Sequence, residues 1–289
     1  MITPTYDYLL VLASVLVSFM ATFTGLTLTS GISALPENRR KMQIVMAALA
    51  LGGGIWSMHF VAILAMRFPF SIDYDSLYTL GSALIAILMA GLALLIVHFA
   101  PPTRGYRVAA GTILGNGIVA MHYVGMSAIR GCLPIYDSVG VVLAVAGSTI
   151  IGIAVISLTY GRRDTAHVVA SSVIFGASVV AVHFVAIAWT TFQPSEEITV
   201  FTPLIESGTL PLLVMFSAFV ICGTFLLAST NYVFAGFGGD AVLVAADGRG
   251  ANPATGPVAA PTEFEPRATA LAINAMLEGL WLRLMMGTE

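Results

Sequence analysis

The chain has 289 residues, of which 58% are apolar and only 9% carry a charge. A soluble globular domain is about a quarter charged, so the polar surface here is too small to cover a water-soluble particle of this size. The net charge of −3 argues against a nucleic-acid partner, and two cysteines cannot build a disulfide framework. The composition therefore indicates an integral membrane protein in contact with a lipid bilayer.

Seven apolar stretches are each long enough to cross a bilayer, since about 20 apolar residues span the hydrocarbon core as a helix. Proline and charged residues interrupt the sequence between them, as at residues 36–41 and 101–104. The first stretch lacks the basic flank of a cleavable signal peptide, so we count it as a span. The predicted spans cover residues 7–30, 43–66, 76–100, 106–130, 139–160, 167–190 and 209–234.

Loops rich in lysine and arginine alternate along the chain with loops that have few basic residues. The loops after the first, third and fifth spans share one face. They carry Arg39, Arg40, Lys41, Arg104, Arg107, Arg162 and Arg163. The loops on the other face contain only Arg67 and Arg130. By the positive-inside rule, this asymmetry predicts a multi-pass protein of the cell inner membrane with its N-terminus outside and its C-terminus in the cytoplasm.

One motif recurs three times, once in each of the second, fourth and sixth spans. Each copy begins with a glycine, has a histidine seven residues later and a small residue three residues after the histidine. The histidines are His59, His122 and His183. The pattern predicts an all-α fold with three parallel two-helix repeats, which places the three imidazoles at one depth near the outer face. The small residues indicate that the repeated face packs against other helices.

The second copy reads Gly-Ile-Val-Ala-Met-His-Tyr-Val-Gly-Met around Met121, His122 and Tyr123. This motif resembles that of the MHYT-domain family of bacterial integral-membrane sensor proteins, and the resemblance covers residues 5–235. It implies a copper ion bound by histidine and methionine near the outer face. It also implies that the protein senses redox state or a small gas ligand (oxygen, carbon monoxide or nitric oxide). The third copy departs from the motif, with Val182 in place of methionine and Phe184 in place of tyrosine.

Thioether and imidazole groups both suit Cu(I), which is a soft ion. The candidate metal ligands are His59, His122, His183, Met126, Met58 and Met121. His122 and Met126 are four residues apart and share a helix face, so they form the best local pair. Met58 and Met121 lie about 100° around the helix from their histidines and would reach a shared ion only across a helix interface.

Three other interpretations of the motif stay open. The histidines could simply form hydrogen bonds between helices. Two of them could instead ligate a haem in a membrane redox protein. A copper transporter or channel is the third alternative, and it needs a polar path across the bilayer. The main candidates for such a path lie in the first span, at Thr22, Thr24, Thr27, Thr29 and Ser30.

The C-terminal part of the chain differs in composition from the sensor domain expected at 1–235. Residues 236–266 are rich in Gly, Ala and Pro and indicate a cytoplasmic linker, and residues 267–289 predict a short C-terminal helix. The enzymatic or DNA-binding domains that accompany the family's membrane domain do not fit in this tail. We therefore expect no enzyme activity and a separate cytoplasmic signalling protein as partner.

Overall fold

The computed structural model describes residues 3–32, 36–70, 72–160 and 165–194. Of the predicted seventh span it describes six residues, all helical: Val214, Phe216, Ser217, Val220, Gly223 and Thr224. The rest of that span, the predicted linker 236–266 and the predicted helix 267–289 lie outside the described residues.

Six helices within the described residues are long and apolar enough to cross a membrane. They are α1 (Tyr8–Leu28), α2 (Glu37–Leu64), α3 (Ser76–Phe99), α4 (Arg104–Met126), α5 (Ser138–Thr159) and α6 (Thr165–Ala188). The outward face of α3 is apolar along the helix, and its Leu80, Leu84 and Leu88 are 67%, 56% and 59% exposed. A helix facing water would carry polar residues there. The chain is therefore a multi-pass membrane protein.

Two helix ends differ from the predicted spans by four residues or more, and the other described ends agree within two residues. Helix α2 begins at Glu37, earlier than predicted, because Glu37 and Lys41 form an ion pair one turn apart in a segment that is too polar for hydropathy to detect. Helix α4 ends at Met126, earlier than the predicted residue 130. Ile129 and Arg130 there leave the helix and form a short strand.

Three antiparallel two-stranded ribbons lie at one end of the bundle, which we call the ribbon end. The pairs are β1 (Thr5–Tyr6) with β2 (Met66–Arg67), β3 (Asp73–Tyr74) with β4 (Ile129–Arg130), and β5 (Cys132–Tyr136) with β6 (Thr190–Pro194). Each ribbon joins the start of an odd-numbered helix to the end of the even-numbered helix that follows it. The described chain is thus organised as three helix pairs.

An aspartate caps the start of each odd-numbered helix. The carboxylates of Asp7, Asp75 and Asp137 each accept hydrogen bonds from two backbone N–H groups of the first turn, which is the usual role of an N-cap residue. The backbone N–H of each aspartate donates to a carbonyl oxygen just beyond the paired even-numbered helix. These acceptors, at 2.8, 2.8 and 3.1 Å, belong to Ala65, Ala128 and Trp189.

Two of the three aspartates also form ion pairs that close their ribbons. Arg67 lies 3.1 Å from Asp7, and Arg130 lies 2.8 Å from Asp75. Both arginines are eight residues after the histidine of their helix, and Thr191 occupies that position in the third helix pair. The third ribbon therefore closes without this ion pair.

The six helices form a closed ring, in which sequence neighbours pack together and α6 packs against α1. The first glycine of each repeated motif lies where two helices approach each other closely. A Cβ on Gly52 would lie 2.6 Å from the carbonyl oxygen of Ala86 on α3, and one on Gly176 would lie 2.6 Å from Cδ1 of Phe19 on α1. Gly115 meets the backbone of Ser148 on α5 in the same way. Only glycine fits at these contacts, so the repeated glycines allow neighbouring helix pairs to pack closely.

Candidate metal centre

Three histidines meet inside the bundle, one from each even-numbered helix. His59, His122 and His183 are each at most 4% exposed. Their ring centroids form a triangle with sides of 5.0, 5.0 and 5.1 Å, and the ring planes meet at angles between 72° and 82°. The structure thus brings together the three imidazoles that the repeated motif places at one depth.

The Nδ1 atoms of this histidine cluster point toward one another. Nδ1 of His59 lies 3.1 Å from Nδ1 of His183 and 3.3 Å from Nδ1 of His122. One potential ligand nitrogen from each ring lies within 4.8 Å of the other two. Three buried nitrogens that converge in this way are a suitable donor set for a transition-metal ion.

Hydrogen bonding between the rings alone leaves the cluster unsatisfied. A neutral imidazole carries one N–H group and one lone pair, so each short Nδ1 contact needs a donor on one ring and an acceptor on the other. Nε2 of His59 and Nε2 of His122 are buried without any hydrogen-bond partner. An unsatisfied buried polar group costs about 1–3 kcal/mol. A cation bound by the three Nδ1 lone pairs would satisfy all three Nδ1 atoms at once, with the N–H group of each ring on Nε2, so these residues fit a bound metal.

A small cavity of about 10 Å³ adjoins the histidine cluster, which is near the lower limit for holding one water molecule. Besides the three imidazoles it is lined by Met58, Met121, Val182, Ile118 and Val179. The first three of these residues each directly precede one of the histidines. Two thioether side chains therefore line the same space as the imidazoles, and valine takes the third equivalent position.

Met126 lies outside the lining of this cavity. It is fully buried in an apolar cluster that also contains Ile63 and Ile187, and these three residues each follow a histidine by four positions. The helical spacing favours Met126 as the partner of His122. The cavity lining instead contains Met58 and Met121, which belong to two different helices.

Gly125 makes room for the imidazole of His59. A Cβ on Gly125 would collide with Nε2 of His59 and would lie 3.0 Å from its Cδ2. His59 belongs to α2 and Gly125 to α4, so the missing side chain of one helix accommodates a ring from the other. The repeated pattern predicts helix packing for this small residue, and in the structure it also makes room for a candidate ligand.

Aromatic side chains surround the cluster and connect neighbouring helix pairs. The residue after each histidine contacts a tyrosine from the start of another helix pair. The ring pairs are Phe60 with Tyr74 at 5.1 Å, Tyr123 with Tyr136 at 4.9 Å, and Phe184 with Tyr6 at 6.4 Å between centroids. Burial raises the pKa of Tyr136 to about 12, so this phenol stays protonated.

These tyrosines are a feature that the sequence analysis missed, although a signal for them exists. A Tyr-Asp dipeptide occurs directly before each odd-numbered helix, at residues 6–7, 74–75 and 136–137. The aspartate caps the helix, and the tyrosine packs against the aromatic residue that follows a histidine. A search for what precedes each odd-numbered span would have found this second repeated motif.

Two of the five residues proposed for a transport path donate hydrogen bonds to backbone carbonyl oxygens, and the buried hydroxyls of Thr24 and Thr27 have no hydrogen-bond partner among the described residues. The hydroxyl of Thr22 donates to the carbonyl oxygen of Ser172 on α6 at 2.9 Å, and that of Thr29 donates to Leu26 within α1 at 2.8 Å. Ser172 is eleven residues before His183, or about 16 Å along the helix. Thr22 therefore bridges α1 and α6 well away from the histidine cluster.

A family model described as the bacterial signalling protein N-terminal repeat, MHYT, matches residues 52–111 and 115–172. The bifunctional diguanylate cyclase/cyclic di-GMP phosphodiesterase MucR of Pseudomonas aeruginosa is 30% identical over 236 residues, which are 79% of this chain and 34% of that protein. The cyclic di-GMP phosphodiesterase NbdA of the same organism is 32% identical over 194 residues, 64% of this chain and 24% of that protein.

The signaling protein YkoW of Bacillus subtilis is 26% identical over 198 residues, which are 65% of this chain and 24% of that protein. The chain thus spans about a third or less of the length of these relatives. No solved structure matches the chain. The family match over two of the three motif-bearing segments and the three signalling relatives agree with the motif around His122, and the chain belongs to the MHYT family.

Proposed function

We propose that the chain is a signal-sensing module of the cell inner membrane with seven spans, built from three parallel copies of a two-helix repeat. The end opposite the ribbons, which we call the basic end, carries Arg39, Arg40, Lys41, Arg104 and Arg107 at the starts of α2 and α4. At the ribbon end, Arg67 and Arg130 are paired with aspartates. This asymmetry supports a cytoplasmic basic end and an N-terminus on the outer side.

The proposed sensing element is a copper ion held by His59, His122 and His183. The observation that carries this proposal is the convergence of three buried imidazole nitrogens within 4.8 Å. Met58 and Met121 line the adjoining cavity and would supply thioether ligands for Cu(I). Met126, in the neighbouring apolar cluster, stays a third candidate. Copper would supply a redox-active centre that binds a diatomic gas such as oxygen, carbon monoxide or nitric oxide.

The protein's own residues would convert occupancy of this site into a change of packing. Each histidine belongs to a different helix pair, so a shift of one ring relative to another changes how the pairs meet. The tight contact of Gly115 with Ser148 would transmit such a shift between the second and third pairs. A ligand shifts the equilibrium between two packings of the helix pairs only to the extent that it binds the two packings with different affinity.

The proposed readout is a separate cytoplasmic protein. Two of the relatives are named as enzymes that make or degrade cyclic di-GMP, and this chain aligns with a third or less of their length. We therefore propose an enzyme of cyclic di-GMP metabolism as the partner class, with no enzyme activity in the sensing module itself.

The test uses the full chain in lipid nanodiscs, loaded with Cu(I) and exposed to nitric oxide, carbon monoxide or oxygen. Hydrogen exchange of the even-numbered helices should change on exposure in the wild type. The matched control replaces His59, His122 and His183 by alanine and should give no change. An equal response in both proteins, or no response in copper-loaded wild type, would contradict the proposal.

A further inference from the structure

A second cavity, which we call the basic-end cavity, lies between α3, α4 and α5 at the basic end. Its volume is about 200 Å³, enough for a group of several atoms. Its polar lining comes from His98 at the end of α3, Tyr106 and Arg107 in the first turns of α4, and Tyr160 directly after α5. The histidine cluster and its cavity share none of these residues.

The polar groups of the basic-end cavity are well suited to an oxyanion. Nε2 of His98 lies 3.0 Å from the hydroxyl of Tyr160, and the two rings pack edge to face with centroids 5.2 Å apart. This contact holds the phenol of Tyr160 in place, and the phenol of Tyr106 and the guanidinium of Arg107 complete the set. Guanidinium groups bind phosphate strongly because their N–H groups match its oxygens in charge and geometry.

The charges around the basic-end cavity favour a negative ligand. The helix starts at this end carry five basic residues, and Glu37 is the one acidic residue in the same two helix starts, where it pairs with Lys41. Arg107 forms no ion pair with any described residue, since the described ion pairs involve Lys41, Arg67 and Arg130. The guanidinium at the cavity therefore has no carboxylate of the described chain to neutralise it.

The other wall of the basic-end cavity is apolar and continues onto a face exposed to lipid. It consists of Ile96, Val97, Pro101 and Pro102. On the same helix, Leu92 and Leu95 are 45% and 42% exposed and belong to the apolar outer surface of α3. The cavity thus lies where a membrane span ends, which is the level of lipid headgroups.

We propose that the basic-end cavity binds the phosphate of an anionic phospholipid headgroup. Arg107 pairs with the phosphate, the hydroxyls of Tyr106 and Tyr160 donate to it, and the glycerol carbons contact Pro101 and Pro102. In this arrangement the Nε2–H group of His98 donates to the oxygen of Tyr160. A headgroup bound here connects α3 and α4 with α5, and so links the second and third helix pairs at the end of α4 opposite His122. The site is independent of any metal at the histidine cluster.

The test measures binding of short-chain phosphatidylglycerol to the full chain in maltoside detergent, by the shift of the thermal midpoint. Phosphatidylglycerol should stabilise the wild type, whereas phosphatidylcholine of the same chain length and inorganic phosphate should not. Arg107→Gln should weaken the phosphatidylglycerol affinity about fivefold or more, the effect of one basic residue near an anionic lipid. Arg104→Gln, which removes an equal charge one turn away, is the matched control and should bind as the wild type does.

Three further variants make the result specific. Arg107→Lys should recover part of the affinity, and Tyr160→Phe should weaken binding while removing a single hydroxyl group. The triple alanine variant of the histidine cluster should bind the lipid normally, which separates this proposal from the metal proposal. Equal weakening by Arg107→Gln and Arg104→Gln would overturn the proposal in favour of unspecific attraction. Equal stabilisation by inorganic phosphate, or no effect of phosphatidylglycerol, would overturn it as well.

Discussion

Nδ1 of His59 and Nδ1 of His183 lie 3.1 Å apart, although 124 residues separate them in the chain. The two imidazoles belong to the first and third helix pairs, and His122 of the second pair lies 3.3 Å from His59. The cluster therefore exists only when all three pairs close around it. A ligand that binds here is coupled by geometry to the packing of the whole described bundle.

Loss of any one imidazole should impair metal binding. We expect alanine at His59, His122 or His183 to lower the copper affinity by at least about 10–100-fold. That range is typical when a group that only supports a metal ligand is lost. Competition with a chromophoric Cu(I) chelator measures this. His167→Ala, near the start of α6, is the control and should bind copper normally. A single-histidine variant with wild-type affinity would show that its imidazole is not a ligand.

The two methionines that line the cavity should matter for a soft ion. Met58→Leu and Met121→Leu preserve apolar volume and should weaken Cu(I) binding more than Zn(II) binding, because thioether sulfur prefers Cu(I). The measurement is the ratio of the two metal affinities in each variant. Met126→Leu is the matched control with a small expected effect. If only Met126→Leu lowered the Cu(I) affinity, Met126 would be the thioether ligand, as the helical spacing favours, and Met58 and Met121 would not.

A methyl group at Gly125 should disturb both stability and the site. Gly125→Ala places a Cβ against Nε2 of His59, and we expect a loss of about 1–3 kcal/mol in the free energy of unfolding, as for other overpacked cores, together with weaker copper binding. Gly53→Ala on α2 is the control, because its Cβ would meet no atom within 4 Å. That change should stabilise the helix by about 0.5–1 kcal/mol. Normal stability and copper affinity in Gly125→Ala would show that this contact does not position His59.

The ion pair of Asp75 with Arg130 should give a pH-dependent contribution to stability. The hydrogen bond from Arg130, aided by two backbone N–H groups, lowers the pKa of the Asp75 carboxyl from its ordinary value. The charged form therefore stabilises the fold above the ordinary pKa of about 3.9, and this contribution is lost as the pH falls through the lowered folded-state pKa. Asp75→Asn keeps an equivalent helix cap and removes the charge.

At pH 7 we expect Asp75→Asn to lose about 0.5 kcal/mol of stability, since Arg130 is partly exposed and solvent screens the pair. The difference in the free energy of unfolding between variant and wild type should become smaller below about pH 4. Thermal unfolding in detergent from pH 7 to pH 3 measures this difference. Asp137→Asn is the matched control, because Thr191 stands where the other two ribbons have arginine. A difference that stays constant over this range would contradict the role of the ion pair.

The histidine cluster could be predicted from the sequence because its geometry follows from one repeated spacing. Corresponding positions in spans of similar length and the same direction place His59, His122 and His183 at one depth. The repeated glycines at 52, 115 and 176 place the motif against neighbouring helices, and the structure shows those close contacts. Both inferences need only the helical period and the thickness of a bilayer.

Two features could not be predicted in the same way: the ribbons, and which methionines lie beside the histidine cluster. Ribbon strands such as Asp73–Tyr74 have two residues, too few to show an alternating pattern, and their pairing with Ile129–Arg130 depends on how the helices return. Met126 shares a helix face with His122 but lies one turn nearer the ribbon end. Met58 reaches the cavity across a helix interface, and this depends on the rotation of α2, which sequence spacing does not fix.

The most direct test of the central claim is the metal content of the purified full chain, measured by mass spectrometry together with its visible spectrum. The wild type reconstituted with copper should hold one copper ion per chain and show no Soret band. The variant with alanine at His59, His122 and His183 should hold none. Copper retained by this variant, an empty wild type after reconstitution, or iron with a Soret band would contradict a copper site at the histidine cluster.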